Sequence, residues 1–127
     1  MIDFKSIDEK IMTGYDYLMK RKSVNACDIW LDAWEDIKSA AVELQVKNID
    51  DLQVKYTWTD FLENYIQELA FELHNAGLSN KEYFQKRIVY CEEMLELYGK
   101  HQGLLVENTR RAIADSHYAL GEKENCE

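Results

Sequence analysis

Residues 26–41 read ACDIWLDAWEDIKSAA, and this stretch decides the fold of the chain. Its apolar residues recur at steps of three and four, which places them on one face of an α-helix. Trp30 and Trp34 lie one turn apart on that face, and each can bury on the order of 200 Å². The acidic residues of the stretch fall outside the face. The pattern therefore predicts an amphipathic helix over residues 24–46 that contributes most to a helical core.

The same periodicity predicts four further helices, so that the chain holds about five. They cover residues 4–20, 58–76, 80–98 and 104–120. The chain has no proline, which leaves the helices free to run long. Short linkers favour antiparallel neighbours, so the predicted fold class is all-α, with antiparallel helical hairpins stacked as a short array or bundle. Residues 47–56 are predicted as a loop that turns Leu52, Val54 and Tyr56 inward.

Start and stop signals accompany these helices. A capping Ser or Thr, an acid three residues later and a flanking apolar pair together predict a helix start. The capping pairs are Thr57 with Asp60 and Ser79 with Glu82, and the apolar staple pairs are Tyr56 with Phe61 and Leu78 with Tyr83. Glycines near the ends of periodic segments are predicted to end helices. They are Gly77, Gly99, Gly103 and Gly121.

Charge and hydropathy exclude several classes of function. Asp and Glu number 24 against 15 Lys and Arg, a net charge of −9, which repels nucleic acids and anionic membranes. No apolar run approaches the roughly 20 residues that a membrane-spanning helix needs. The N-terminal residues MIDFKSIDEK lack the pattern of a secretory signal. We therefore expect a single all-helical domain over residues 1–127, located in the cytoplasm.

Residues that could carry chemistry are few and scattered. The three histidines, His74, His101 and His117, match no HExxH motif, and no glycine-rich phosphate loop is present. Cys91, next to Glu92, could act as a nucleophile, but its place among apolar residues favours core packing. The sequence predicts no cofactor and no metal site.

Two segments of the chain resemble each other. LAFELHNAG at residues 69–77 aligns with IADSHYALG at residues 113–121, each an apolar residue and Ala followed seven positions later by Gly. Over residues 62–127 this pattern resembles the first helix of tetratricopeptide-type repeats. The spacing of 44 residues exceeds the repeat length of about 34, and no proline closes a repeat. The resemblance implies a stack of helical hairpins, and we expect this chain to be the N-terminal part of a longer array.

The resemblance also implies a binding groove lined by the first helix of each repeat. On the third helix its polar face and lone aromatic are Asn64, Gln67, Phe71, His74 and Asn75. The corresponding positions of the fifth helix are Asn108, Arg111, Asp115 and Tyr118. Phe71 could instead pack in the core against the first or fifth helix. His74 could simply be a surface or hydrogen-bonded histidine.

The leading hypothesis is a non-catalytic helical-repeat scaffold that mediates protein–protein interaction with a basic or neutral partner. One alternative is a metal-binding or carboxylate-based helical-bundle enzyme that uses His74 or His117, for which stoichiometric metal would be evidence. Another is a structural subunit that forms homo-oligomers through the fifth helix and the C-terminal end. Residues 121–127 look like the opening of a further helix, so we expect a longer native chain or a second chain that completes the packing.

Overall fold

In the computed structural model, residues 2–46, 49–98 and 103–121 are described, without the side chains of 97, 98 and 103–109. These residues form six α-helices and no strand, so the prediction of an all-α chain is confirmed. The helices are α1 (Phe4–Met19), α2 (Ser23–Leu44), α3 (Ile49–Gln53), α4 (Leu62–Ser79), α5 (Glu82–Tyr98) and α6 (Gly103–Ala119).

The short helix α3 replaces part of the predicted loop. Ile49 and Leu52, three positions apart, are both buried by it, as expected for Leu52. Val54, in contrast, is 81% exposed, so the prediction that it turns inward is wrong. The helix ends at Gln53, and the turn that follows it leaves Val54 on the solvent side.

Helix α4 begins four residues later than predicted because its first turn is capped by a distant residue. The Leu62 amide donates to Oε1 of Gln53 at 2.7 Å, while Asp60 accepts from the Phe61 amide at 2.9 Å. The expected staple fails as well, since Phe61 is 68% exposed. Trp58 lies before the helix but is buried, as its apolar character predicted.

The junction of α4 and α5 also departs from the sequence prediction. Ser79 is the last residue of α4 and does not cap α5, because the Glu82 amide instead donates to Oδ1 of Asn80 at 3.1 Å. Leu78 is 71% exposed and forms no staple. Gly77 does not end a helix, since it is a buried residue inside α4.

The other glycines have different roles. Gly121 follows α6 with a φ of +84°, a left-handed conformation that suits a turn glycine and agrees with the prediction. Gly103 begins α6, so its predicted place at a helix end is wrong. Gly99 lies outside the described residues, as do residues 122–127, where the opening of a further helix was predicted.

The chain divides into two compact units, residues 1–69 and 70–127. In the first unit, α1 and α2 form an antiparallel hairpin. Lys10 near the middle of α1 pairs with Asp36, at 2.6 Å, in the second half of α2. Ile11, the next residue, accepts a hydrogen bond from Trp30, nearer the start of α2. The predicted faces of both helices are buried where they meet.

Trp30 joins three helices of the first unit. Its indole nitrogen donates to the Ile11 carbonyl of α1 at 2.9 Å, and its own carbonyl accepts from the Tyr65 hydroxyl of α4 at 2.6 Å. Its ring meets the rings of Tyr15 and Tyr65 edge to face, at centroid distances of 5.0 and 5.6 Å. Gly14 makes room for the indole, because a Cβ there would overlap it.

In the second unit, the apolar face predicted for the helix over residues 80–98 is buried in α5. Phe84, Ile88, Cys91 and Met94 are all buried. Phe84 packs directly against Gly77 of α4, where an added Cβ would lie 2.6 Å from the ring. Gly77 is therefore a close-packing residue rather than a turn residue.

Replacing Gly14 by Ala should lower the free energy of unfolding by roughly 1–3 kcal/mol, because the added Cβ overlaps the Trp30 indole. In an uncrowded helix the same change would stabilise by up to about 1 kcal/mol. Urea titration followed by circular dichroism measures the difference. Ser39→Ala, at an exposed position of α2, is the control and should change stability by no more than about 0.5 kcal/mol. A stabilised Gly14→Ala protein would contradict the packing.

Tyr65→Phe should cost about 1–2 kcal/mol of stability, because it removes the buried hydrogen bond that the Tyr65 hydroxyl donates to the Trp30 carbonyl. Tyr15→Phe is the matched control. The Tyr15 hydroxyl is buried without a hydrogen-bond partner among the described residues. Burial is the largest cause of the raised pKa of Tyr15, and the nearby carboxylate of Asp60 is the second. Tyr15→Phe should therefore be neutral or stabilising in the same urea titration, and equal costs for the two variants would disprove the assignment.

Candidate functional site

The three helices of the second unit meet at the buried side chain of Arg87. This residue of α5 is 7% exposed, donates from Nε to the Ala70 carbonyl of α4 at 2.7 Å, and donates from Nη1 to Oγ of Ser116 in α6 at 3.3 Å. Ser116 is fully buried and donates its own proton to the Ala112 carbonyl at 2.8 Å. Arg87 thus sets the positions of α4 and α6 against α5.

Burial is the main electrostatic influence on this cluster. It lowers the pKa of Arg87, and the neighbouring Cys91 and Asp115 oppose that shift. An arginine stays protonated at neutral pH even so, because its ordinary pKa lies above 12. The buried guanidinium is therefore a charged group held by two polar contacts, and truncating it would remove one hydrogen bond from each of those partners.

The nine predicted groove residues are divided between the two units, so each group is described by itself. Asn64 and Gln67 belong to the first unit, and both are exposed. Each amide bonds to an acid four residues before it: Asn64 donates to Asp60, which precedes α4, at 3.1 Å, and Gln67 donates to Glu63 at 3.4 Å. These amides are exposed but already bonded to acids of their own segment.

Phe71, His74 and Asn75 lie in the part of α4 that belongs to the second unit. Phe71 is 58% exposed, so the alternative that it packs in the core is not what the structure shows. His74 is half-buried against the ring of Phe84, with centroids 5.6 Å apart. Asn75 donates to Oε1 of the buried Glu72 at 3.2 Å. An exposed aromatic and two half-buried polar groups therefore share one helix segment.

On α6, the predicted residues Arg111, Asp115 and Tyr118 are all exposed, and Tyr118 is 60% exposed. They follow one another at steps of four and three, so they share one face of the helix. Ala112 and Ser116 on the same helix are buried, which separates this face from the core. The side chain of Asn108 lies outside the described residues.

Sequence reasoning missed one member of the exposed surface of α4. Leu78 lies seven positions after Phe71 and therefore on the same helical face, yet it was assigned to a staple with Tyr83. In the structure Tyr83 is buried and Leu78 is 71% exposed. The seven-residue spacing between Phe71 and Leu78 was the sequence signal that could have identified Leu78 as exposed.

The first unit contains a cleft of about 300 Å³ between the start of α1 and the second half of α2. Its walls combine polar side chains with a small apolar floor: Ile2, Asp3, Ser6, Ile7, Lys10, Asp36, Ser39, Ala40 and Glu43. Lys10 occupies one side of it and pairs with Asp36 at 2.6 Å and with Asp32 at 2.9 Å. Both contacts raise the pKa of Lys10, and the contact with Asp36 contributes more than the contact with Asp32.

The second unit gives Cys91 no features of a nucleophile. The residue is fully buried, and burial raises the pKa of its thiol to about 12, although Arg87 acts in the opposite direction. The thiolate is therefore scarce at neutral pH. Among the described residues, no three His, Cys, Asp or Glu side chains are arranged to hold a metal ion.

Comparison of the chain with protein-family models, with curated proteins and with solved structures gives no match. None of the helices in the described part of the chain combines the length and the apolar character needed to cross a bilayer.

The buried thiols should resist alkylation in the folded protein. At pH 8, a pKa of about 12 leaves a thiolate fraction on the order of a thousandfold below that of an ordinary cysteine. The third cysteine of the chain, Cys126, is replaced by Ser so that it does not contribute to the reaction. Treated with iodoacetamide, this variant should be alkylated at Cys91 only after urea is added, and mass spectrometry follows the alkylation. Val89→Cys in the same background is the control, because Val89 is 57% exposed on the same helix and a thiol there should react at once. Fast native reaction of Cys91 would contradict this account.

Proposed function

We propose that this chain is a non-catalytic helical module that binds a segment of another protein on the second unit. The observation that carries the proposal is the exposure of Phe71 and Tyr118, at 58% and 60%, on helices whose opposite sides are buried. Large aromatic side chains held by rigid helices are the residues that contribute most to protein interfaces. Solvent exposure of both in the free chain leaves them available to a partner.

The second unit holds α4 and α6 rigidly enough for this role. Arg87 bonds to both helices from α5, and Phe84 packs against Gly77, so the backbone beneath Phe71 and Tyr118 is fixed. Binding of a partner segment would then not require α4 and α6 to lose further conformational entropy. The tetratricopeptide-like arrangement of helical hairpins belongs to the same proposal, and it is supported by the packing of α4 on α5 and of α5 on α6.

Charge favours a basic or neutral partner. The whole chain carries a net charge of −9, and residues 1–69 alone hold fourteen Asp and Glu against eight Lys and Arg. Acidic segments, nucleic acids and anionic membranes would be repelled at long range. We place the module in the cytoplasm as part of this proposal, because Cys27 and Cys91 are buried and form no disulfide in the described part of the chain.

The test is selection of binding segments from a displayed library of random peptides, with the wild-type chain as bait. Neutral or basic segments with an apolar anchor should be enriched. Phe71→Ala and Tyr118→Ala should each weaken their binding at least about tenfold, measured by fluorescence anisotropy. Both variants should lose less than about 1 kcal/mol of stability, since the two side chains are exposed.

The matched controls are Met19→Ala and Val42→Ala, which truncate exposed apolar residues of the first unit, 85% and 79% exposed. Their binding should equal that of the wild type. Absence of any enriched segment, or equal loss in controls and test variants, would refute the proposal. A large loss of stability in Phe71→Ala would show that the residue belongs to the core.

A further inference from the structure

Helix α4 presents a continuous uncharged face in the second unit. We call it the α4 stripe and define it as Phe71, His74, Asn75 and Leu78. These positions follow steps of three, one and three, so they share one face of the helix. Its two ends are large apolar side chains, 58% and 71% exposed, and its centre is polar and half-buried.

The charge of the stripe differs from that of the rest of the chain. None of its four side chains is an acid, a lysine or an arginine, although the chain carries a net charge of −9. Within α4, Glu72 is 8% exposed and accepts a hydrogen bond from Asn75, whereas Glu68, three residues before Phe71, is exposed and marks where the uncharged stripe ends. On α2, in contrast, Asp28, Asp32 and Glu35 are all exposed. A second copy would be repelled at the acidic surface of α2 but not at the stripe.

The order of residues in the stripe is self-complementary. In a two-fold pairing of antiparallel helices, position 71 lies opposite 78 and position 74 opposite 75, because both pairs have the same midpoint. Phe71 would meet Leu78 of the second copy, apolar against apolar. His74 would meet Asn75 of the second copy, imidazole against amide. An isologous interface requires this kind of match between a surface and itself.

We propose that two copies of this chain pair antiparallel through the α4 stripe, with the two-fold axis between His74 and Asn75. The proposal deepens the proposed function, on which it rests for the use of Phe71 as an anchor, by naming one occupant of that surface. Self-pairing covers Phe71, so it competes with binding of a partner segment there. Dilution or a higher concentration of partner then releases the surface.

The pairing is weak, because one helical stripe buries less than the about 800 Å² per partner that stable complexes reach. We expect a dissociation constant of about 0.1–1 mM. Sedimentation equilibrium of the wild-type chain over that concentration range should show a monomer–dimer equilibrium. Leu78→Glu should abolish it, since it places a carboxylate opposite the apolar ring of Phe71 and costs the fold little at an exposed site.

Disulfide trapping tests the register. In a Cys126→Ser background, Asn75→Cys should form a covalent dimer on mild oxidation, because position 75 lies next to the axis. Chains with Phe71→Cys alone or Leu78→Cys alone should not, since each position is displaced from its own copy by about 10 Å along the helix. A mixture of these two chains should form the mixed disulfide. Val89→Cys, exposed on α5, is the control for random collision and should not cross-link at the same rate.

His74→Cys offers a second position beside the axis in case loss of the Asn75 contact with Glu72 impairs folding. A monomer at all concentrations without cross-links at 74 or 75 would overturn the pairing. Equal cross-linking of Val89→Cys would overturn it as well. Tyr118→Ala separates the two ideas, because it should weaken segment binding and leave self-pairing unchanged. For the chain without the Tyr118 substitution, absence of peptide capture with intact cross-linking would refute only the proposed function, and peptide capture without cross-linking would refute only the pairing.

Discussion

The first unit depends on the burial of one tryptophan among polar partners. Trp30 is completely buried, so its indole N–H would cost free energy if it had no acceptor, and the Ile11 carbonyl supplies one. The Trp30 carbonyl accepts a hydrogen bond from the Tyr65 hydroxyl, which holds the beginning of α4 against the same residue. The indole fits only because Gly14 has no Cβ. A single side chain thus determines the spacing of α1, α2 and the beginning of α4.

In the second unit, a buried charged residue connects the helices in a similar way. Arg87 is buried and takes its acceptors from a main-chain carbonyl on α4 and a serine hydroxyl on α6. The guanidinium lies among small residues such as Ala112 and Ser116, which allow α6 to come close. The hydrogen bonds from Arg87 therefore lie on the inner sides of α4 and α6, and Phe71 and Tyr118 lie on the outer sides of these helices.

The functional proposal follows from this separation of inner and outer faces. The inner faces are satisfied by contacts within each unit, and the outer face of α4 then combines two apolar side chains with uncharged polar ones. A surface of that composition suits an apolar, neutral segment better than an ion, a nucleotide or a nucleic acid. In the proposed function, the net charge of −9 disfavours acidic partners and the stripe contacts the bound segment.

Amphipathic periodicity by itself determined that the chain is all-helical and which side of α1, α2 and α5 is buried, because helix formation and the 3.6-residue repeat are local properties. It also placed Arg111, Asp115 and Tyr118 outside the inner side of α6, but it left open whether Phe71 lies in a groove or in the core, which its exposure in the folded chain decided. The sequence could not reveal where α4 begins, since its first amide is bonded by Gln53, nine residues away. Nor could it assign Gly77, which resembles a turn glycine but is required by the ring of Phe84. These features depend on residues distant in the sequence that only the folded chain brings into contact, so the tertiary structure alone decided them.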